Sequence, residues 1–493
     1  MMHVADLLEG TLGLRAPALS VRPLRRVVID SRAVQPGDVF VALRGERTDG
    51  HAFVGDALRR GAAAAIVRRD APLPADAPAC ARVRADHLPL DAAMTQPLLI
   101  EVEDPLTALQ SLAAFWRIKA AAPCLRVIGV TGSVGKTTTK ELIAQVLARR
   151  FRVLKSEGNY NNEIGVPLTL LNLRPQHEKL VVEMGMYAQG EIAAYCRWAK
   201  PHVGVVTMVA PVHLERLGSI EAIAQAKSEL PAALPPAEEG GVAILNDDDA
   251  RVRAMANITR ARVVTYGFTP RADVWADAVE SRGLQGVRFT LHAQGRALHV
   301  HLPLLGQHSV QTALRAATVA LVEGMTPEEI VEALAVPAAE QLRLITVRGP
   351  HGSLVIDDTY NASTESVLAA LNLLAEINEG PRVAVLGDML ELGDVEQRAH
   401  EEVGCRAGIV AQFVIGVGSR ARWICQAARA CGASAERVFH VQSNAEALAV
   451  LQRIVTQRCT ILVKGSRGMK MEEIVMGLRA MAESQDAQQG AIA

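Results

Sequence analysis

Aromatic residues supply only 3% of this 493-residue chain, while apolar residues as a whole reach 49%. That balance argues against a disordered chain and for an aliphatic, Ala/Val/Leu-rich α/β protein. Neither sign of charge prevails: 52 Lys and Arg face 53 Asp and Glu, a net charge of -1. A general nucleic-acid binder or a membrane-surface protein would need a basic excess that is absent here. No apolar run approaches membrane-spanning length, and the N-terminus lacks a charged-then-apolar leader, so a cytoplasmic protein is expected. The cysteines number seven, an odd count, and none forms a CxxC pair. This argues against a disulfide framework or zinc site and for reduced, mostly buried thiols. No GxGxxG with a downstream acidic partner occurs, so a dinucleotide cofactor is not expected. The length calls for two to four domains.

What the chain does contain is VIGVTGSVGKTTT, Val127 to Thr139. An apolar strand enters a turn punctuated by Gly132 and Gly135, and Lys136 with a Thr triplet then opens a helix. Apolar residues at helical spacing (Leu142, Ile143, Val146, Leu147) place that helix over Lys140 to Arg150. Strand, glycine turn, Lys-Thr, helix is the physical form of a nucleotide phosphate cradle. Glycines let backbone N–H groups converge on phosphate oxygens, and the helix N-terminus adds positive potential. Lys136 suits the terminal phosphates, and the Thr137 hydroxyl suits a Mg2+ ion. Val130 stands where the usual template has its first glycine, so this is the variant T-G-x-x-G-K-T.

Before the cradle, strands at Val27 to Ile29 and Val39 to Leu43 flank a Pro36-Gly37-Asp38 turn, and an Ala-rich strand ends at Val67. Ser31, Arg32, Thr48, Asp49 and His51 fall at strand ends and loops, where ordinary turn chemistry accounts for them on residue type alone. Residues 71 to 98 read as a surface insertion. After the cradle, Asn159, Asn161 and Asn162 precede an apolar helix, as caps or as ligands of a polar molecule. Glu183 closes a buried strand, where a carboxylate suits Mg2+ or merely starts a helix. His213 lies just past the strand Val203 to Val206, at the same edge as Lys136. Lys227 falls on a helix whose solvated face is its commonest setting. Val287 to Ala293 and Ala297 to Leu302 form a hairpin around Gln294-Gly295, with His292, His299 and His301 on a wet face. From Ser353 onward strands alternate with helices and end in polar residues, a Rossmann-like parallel sheet.

Several segments together resemble the Mur ligases, ATP-dependent amide-forming enzymes of peptidoglycan precursor synthesis. They are DSRAVQPGDVFVAL, TGSVGKTTTKE, NYNNEIGVPLTLL, VVEMGMYAQGEI, HLERLGS, DDTYNAS, VLGDMLELG and VKGSR, spread from about Asp30 to Val475. The resemblance implies an α/β protein of three domains. Residues 1–104 would bind the UDP-muramoyl substrate, 105–344 would form a P-loop ATPase with a parallel sheet, and 345–493 a Rossmann-like domain closing over ATP and the amine acceptor. It implies ATP contacts from Gly132, Ser133, Val134, Gly135, Lys136, Thr137, Thr138, Arg343, Asp358 and Asn361. Mg2+ would be held by Thr137, Glu183, His213 and Lys227, the last as a carbamate; Lys136, His213 and Lys227 would be catalytic. Ser31, Arg32, Thr48, Asp49, Asn161 and Asn162 would contact the UDP substrate. The family pattern has Asn where Met208, Ser309 and Thr312 stand, and Pro where Thr364 stands. No Asp-Asn-Pro-Arg run of the diamino-acid-adding branch occurs. The resemblance therefore implies a monomer that joins D-Ala-D-Ala to UDP-N-acetylmuramoyl-tripeptide through an acyl phosphate. The alternatives are another Mur-type or folylpolyglutamate-type ligase and a non-catalytic P-loop switch.

Overall fold

Short Val/Ile/Leu runs, most of them buried on both faces, form the strands of three separate sheets. The computed structural model describes residues 1–45, 48–71, 78–212, 214–337, 345–377 and 380–490. The first sheet runs in the order Val27–Val28, Val39–Val41, Ala64–Arg68, Leu98–Val102, Ala81–Val83, all parallel. The segment expected to be a surface insertion thus contributes Ala81–Val83 to this sheet and a helix, Leu90–Thr95. Its Ala81 and Val83 are buried against the core, a pairing that its Pro- and Asp-rich flanks concealed.

The central sheet has nine strands. Arg126–Thr131 lies inside it, between Lys179–Glu183 on one side and Val203–Val206 on the other. Val153–Lys155 forms the far edge, and Val242–Asn246, Arg262–Gly267 and Val274–Ser281 continue the opposite side in parallel. The expected parallel sheet is mixed, because the hairpin Val287–Ala293/Arg296–Leu302 adds antiparallel strands at its end. On that hairpin His292 stacks on Trp275 with ring centroids 3.6 Å apart and bonds Asp277 Oδ1 at 3.0 Å. A local contact therefore accounts for it.

The third sheet is ordered Ile345–Arg348, Leu354–Asp358, Thr460–Lys464, Arg382–Gly387, Phe413–Val417, Val438–Val441. It is parallel except for the edge strand Ile345–Arg348. Two features depart from expectation. The helix after the cradle is Lys136–Leu147, so it begins at the lysine itself. Cys405 and Cys431 are joined as a disulfide, with Cα atoms 5.2 Å apart, so the thiols are not all reduced. Packing of Glu396–Val410 against Ala421–Ala430 brings the two sulfurs together, a long-range contact that cysteine spacing does not encode. Among the described residues no helix is long and apolar enough to cross a membrane.

Candidate active site

The chain returns from Lys179–Glu183 and crosses over Arg126–Thr131 to Val203–Val206, so the strand order reverses at Arg126–Thr131. A crevice opens outside the strand C-termini at such a reversal, and parallel sheets place ligands there. The glycine turn sits at this point. Gly132 has φ +143°, and a Cβ there would lie 1.8 Å from Thr207 Oγ1, so only glycine fits. Thr207 Oγ1 in turn donates to Val134 O at 2.7 Å, fastening the loop to the neighbouring strand end. Gly135, at φ 83°, precedes the first turn of the phosphate helix Lys136–Leu147.

Lys136 Nζ donates to Gly132 O at 2.9 Å and Ser133 O at 3.3 Å. Thr137 Oγ1 donates to Glu183 Oε1 at 3.2 Å, and Asn161 Nδ2 donates to the same oxygen at 2.7 Å. Glu183 is 1% exposed, and its Oε2 accepts no hydrogen bond, with the Lys140 ammonium 3.9 Å away. A buried carboxylate oxygen left without a donor beside a threonine hydroxyl fits a hard divalent cation such as Mg2+. Lys140, expected only as a helix residue, is fully buried. It donates to Ser156 O at 2.8 Å and Gly158 O at 2.7 Å, tying the asparagine loop to the phosphate helix.

Lys227 corrects the residue-type expectation of a solvated lysine, since it is 2% exposed on the inner face of the helix Ile220–Ala232. Burial first, and then the charge of Lys136, push its pKa well below 10.5. Both effects favour the uncharged amine over the ammonium. His213 and Arg343 lie outside the described residues.

A cavity of about 400 Å³ joins this edge to the third sheet. Ser133 to Thr137, Asn159, Asn161, Glu183 and Tyr187 line one wall; Tyr360, Asn361, Leu390, Glu391, Ser466 and Arg467 line the other. Asp358 and Lys464, at adjacent strand C-termini, pair at 2.5 Å, and Lys464 also donates to Asn361 O at 2.9 Å. A second cavity of about 250 Å³ shares Val134 and Gly135 with the first. It is lined by Thr138, Met208, Leu305, His308, Ser309, Thr312, Arg315 and Asp358 among others. Met208, Ser309 and Thr312, the positions where the resemblance implies Asn, thus all face one hollow.

The remaining expected contacts divide. Ser31 and Arg32 follow Val27–Val28, while Thr48 and Asp49 follow Val39–Val41; parallel pairing puts both turns at one edge of the first sheet. Ser31 is buried, Arg32 is exposed and pairs with Asp30 at 2.8 Å, and Asp49 pairs with His51 Nδ1 at 2.5 Å. That bond to His51 holds the Asp49 carboxyl below the ordinary carboxylate range. None of the four lines the cavity to which Asn161 belongs. Asn162 Oδ1 accepts from the N–H of Gly165, the first residue of the helix Gly165–Leu171, at 2.9 Å. Residue-type reasoning missed Thr207, Lys140, Arg315 and Lys464, whose placement comes from contacts distant in sequence.

Comparison with known proteins covers nearly the whole chain. The model of the Mur ligase family catalytic domain matches residues 23–117, the Mur ligase middle domain 130–320, and the Mur ligase glutamate ligase domain 342–467. A UDP-N-acetylmuramoyl-tripeptide–D-alanyl-D-alanine ligase of Bacillus subtilis is 35% identical over 480 residues, 97% of each chain. A crystal structure of MurF from Acinetobacter baumannii superposes with a TM-score of 0.80 at 32% identity, covering 96% of this chain and 97% of that one. MurF from Thermotoga maritima, solved in complex with ADP, superposes with a TM-score of 0.75 at 28% identity, covering 94% and 98%.

Proposed function

From the premise that this chain belongs to the Mur ligase family, we propose that it joins D-alanyl-D-alanine to UDP-N-acetylmuramoyl-tripeptide, driven by ATP. The observation that carries the reading is the cavity in which the phosphate loop and Glu183 face Asn361, Ser466 and Arg467 of the third sheet. An ATP phosphate cradle opposite a second, polar wall is the arrangement that a phosphoryl transfer followed by amine attack requires. The likeness over nearly full length to ligases named for this reaction supports the choice of substrates.

The terminal carboxylate of the tripeptide attacks the γ-phosphorus of ATP, and ADP leaves. The amine of D-Ala-D-Ala then adds to the acyl phosphate, and the tetrahedral adduct expels phosphate to leave the amide. The first step brings two anions together, so charge neutralisation and alignment dominate its barrier. Backbone N–H groups of Gly135, Lys136 and Thr137 cradle the phosphates, and Lys136 exchanges its loop carbonyls for phosphate oxygens. Thr137 and Glu183 would hold a Mg2+ ion, with His213 as a further ligand; when bound, the ion spreads the phosphate charge. Lys227, whose uncharged form is favoured by burial, is suited to add carbon dioxide and release a proton, giving an anionic carbamate beside Lys136. Asp358 and Asn361 bring the third sheet onto the nucleotide, and closure of the cavity excludes the water that would hydrolyse the acyl phosphate. Arg343 belongs to the same set.

Residues 1–104 take the UDP moiety through Ser31, Arg32, Thr48 and Asp49, with Asn161 at the reacting end. Residues 105–344 bind ATP, and 345–493 present the dipeptide. The deciding experiment incubates purified protein and Mg-ATP with UDP-muramoyl-tripeptide, D-Ala-D-Ala, both or neither. Phosphate release and amide product are expected only with both. Release that ignores the dipeptide, or a preference for another amine, would overturn the assignment.

A further inference from the structure

The roles given to Lys136, Thr137 and Glu183 leave a further buried cation at the site unexplained. Arg315, on the helix Ser309–Val322, is 4% exposed. Its guanidinium spreads over three uncharged acceptors: Nε donates to Tyr266 Oη at 2.9 Å, Nη1 to Thr139 Oγ1 at 2.8 Å, and Nη2 to Gln311 Oε1 at 3.2 Å. Among the described residues no carboxylate stands in ion-pairing range of it; the contacts lead outward only as far as Asp248, 3.5 Å beyond Gln311 Nε2. A buried guanidinium without a counter-charge is costly, and an arriving anion offsets that cost.

The fork also faces the nucleotide cradle. Thr139 closes the first turn of the phosphate helix, its hydroxyl accepting from Arg315 while its own N–H donates to Gly135 O at 2.9 Å. A Cβ on Gly135 would stand 3.2 Å from Arg315 Nη1. Arg315 lines the second cavity together with Gly135 and Thr138, whereas Lys136, Thr137 and Glu183 line the first. A nucleotide laid across both puts its outer phosphates beside Lys136 and its ribose-proximal phosphate toward Arg315.

We propose that Arg315 is a positioning residue that provides a fixed counter-charge for the ribose-proximal phosphate and holds the start of the phosphate helix in register. The role rests on the nucleotide-binding reading above. Arginine suits it because one planar group can keep its charge permanently and bond three partners at fixed angles, which a lysine cannot.

Calorimetric binding of ADP, AMP and adenosine to the full-length parent, Arg315→Gln and Arg315→Lys tests this. Arg315→Gln is expected to weaken ADP and AMP by about ten-fold or more, the scale of a hydrogen bond to a charged group, while adenosine stays within about two-fold. Arg315→Lys should recover part of the ADP affinity because the charge returns. Equal losses for ADP and adenosine would reduce Arg315 to scaffold, and unchanged ADP affinity would remove it from the site; either overturns the proposal. A parent that binds no ADP would instead overturn the nucleotide reading itself. Where Arg315→Gln does not fold, Tyr266→Phe releases one arm of the fork and leaves the charge in place. It should weaken ADP several-fold without affecting adenosine, and unchanged ADP affinity in that variant overturns the proposal.

Discussion

Gly132→Ala adds a single methyl group at the base of the phosphate loop. The new Cβ would lie 1.8 Å from Thr207 Oγ1 and 2.9 Å from Thr207 Cβ, where ordinary contact begins at 3.4 Å. Close-packed surroundings cannot absorb that overlap, so loop or strand end must separate by roughly 1.6 Å. Separation breaks the Thr207–Val134 hydrogen bond, worth about 1 kcal/mol. The backbone, at φ +143°, adds strain of about 1–3 kcal/mol for any residue with a side chain. Folding should therefore lose about 2–4 kcal/mol, from these two terms together. Displacing the cradle by more than an ångström should lower turnover by about a hundred-fold or more. The assays are denaturant unfolding and phosphate release under saturating substrates. Adding Thr207→Ala, which removes the nearest clashing atom, should restore part of both. A Gly132→Ala protein with parental stability and turnover would refute this account of the loop.

Lys136→Ala should abolish turnover measured by phosphate release while ADP binding persists in weakened form; activity within a few-fold of the parent would refute its role. Glu183→Gln should raise the Mg2+ concentration needed for half-maximal turnover by about ten-fold or more, read from a metal titration, because a carboxylate oxygen is lost to the ion. Lys464→Met strands the buried Asp358 carboxylate and should cost about 3–5 kcal/mol in denaturant unfolding. Lys227→Met, assayed in buffer free of carbon dioxide, should stabilise the fold at neutral pH. The folded value of Lys227 lies well below 10.5, so the unfolded chain binds the extra proton and the native state is disfavoured there. That gain should shrink as the pH rises toward 10.5, and a gain independent of pH would contradict the burial argument. Lys227→Ala should regain some turnover with added short carboxylates, which stand in for a carbamate; full activity without them would remove the carbamate from the scheme.

How much of this was legible in the sequence follows from the range of the interactions involved. The cradle could be read directly because a glycine turn between strand and helix is local, and Gly132, Gly135, Lys136 and Thr137 all fall within it. Glu183 could be placed because a carboxylate at the end of an apolar run marks a strand C-terminus. Lys227 could not, since helical spacing gives no measure of burial, and only packing of Ile220–Ala232 on the sheet reduces its exposure to 2%. Arg315 and Thr139 are 176 positions apart, and Lys464 and Asp358 are 106 apart, so no window of sequence holds either pair. The strand Ala81–Val83 was hidden for a related reason: three residues between polar flanks carry no period, and only the pairing with Leu98–Val102 defines it. Cys405 and Cys431 likewise meet only because two helices pack together.

The reaction proposed above requires the tripeptide carboxylate to take the terminal phosphoryl group of ATP before the dipeptide amine attacks. Labelling both oxygens of that carboxylate with heavy isotope and analysing the released phosphate by mass spectrometry tests it most directly. Transfer of one labelled oxygen into each phosphate is the predicted result, and phosphate free of label would contradict the account.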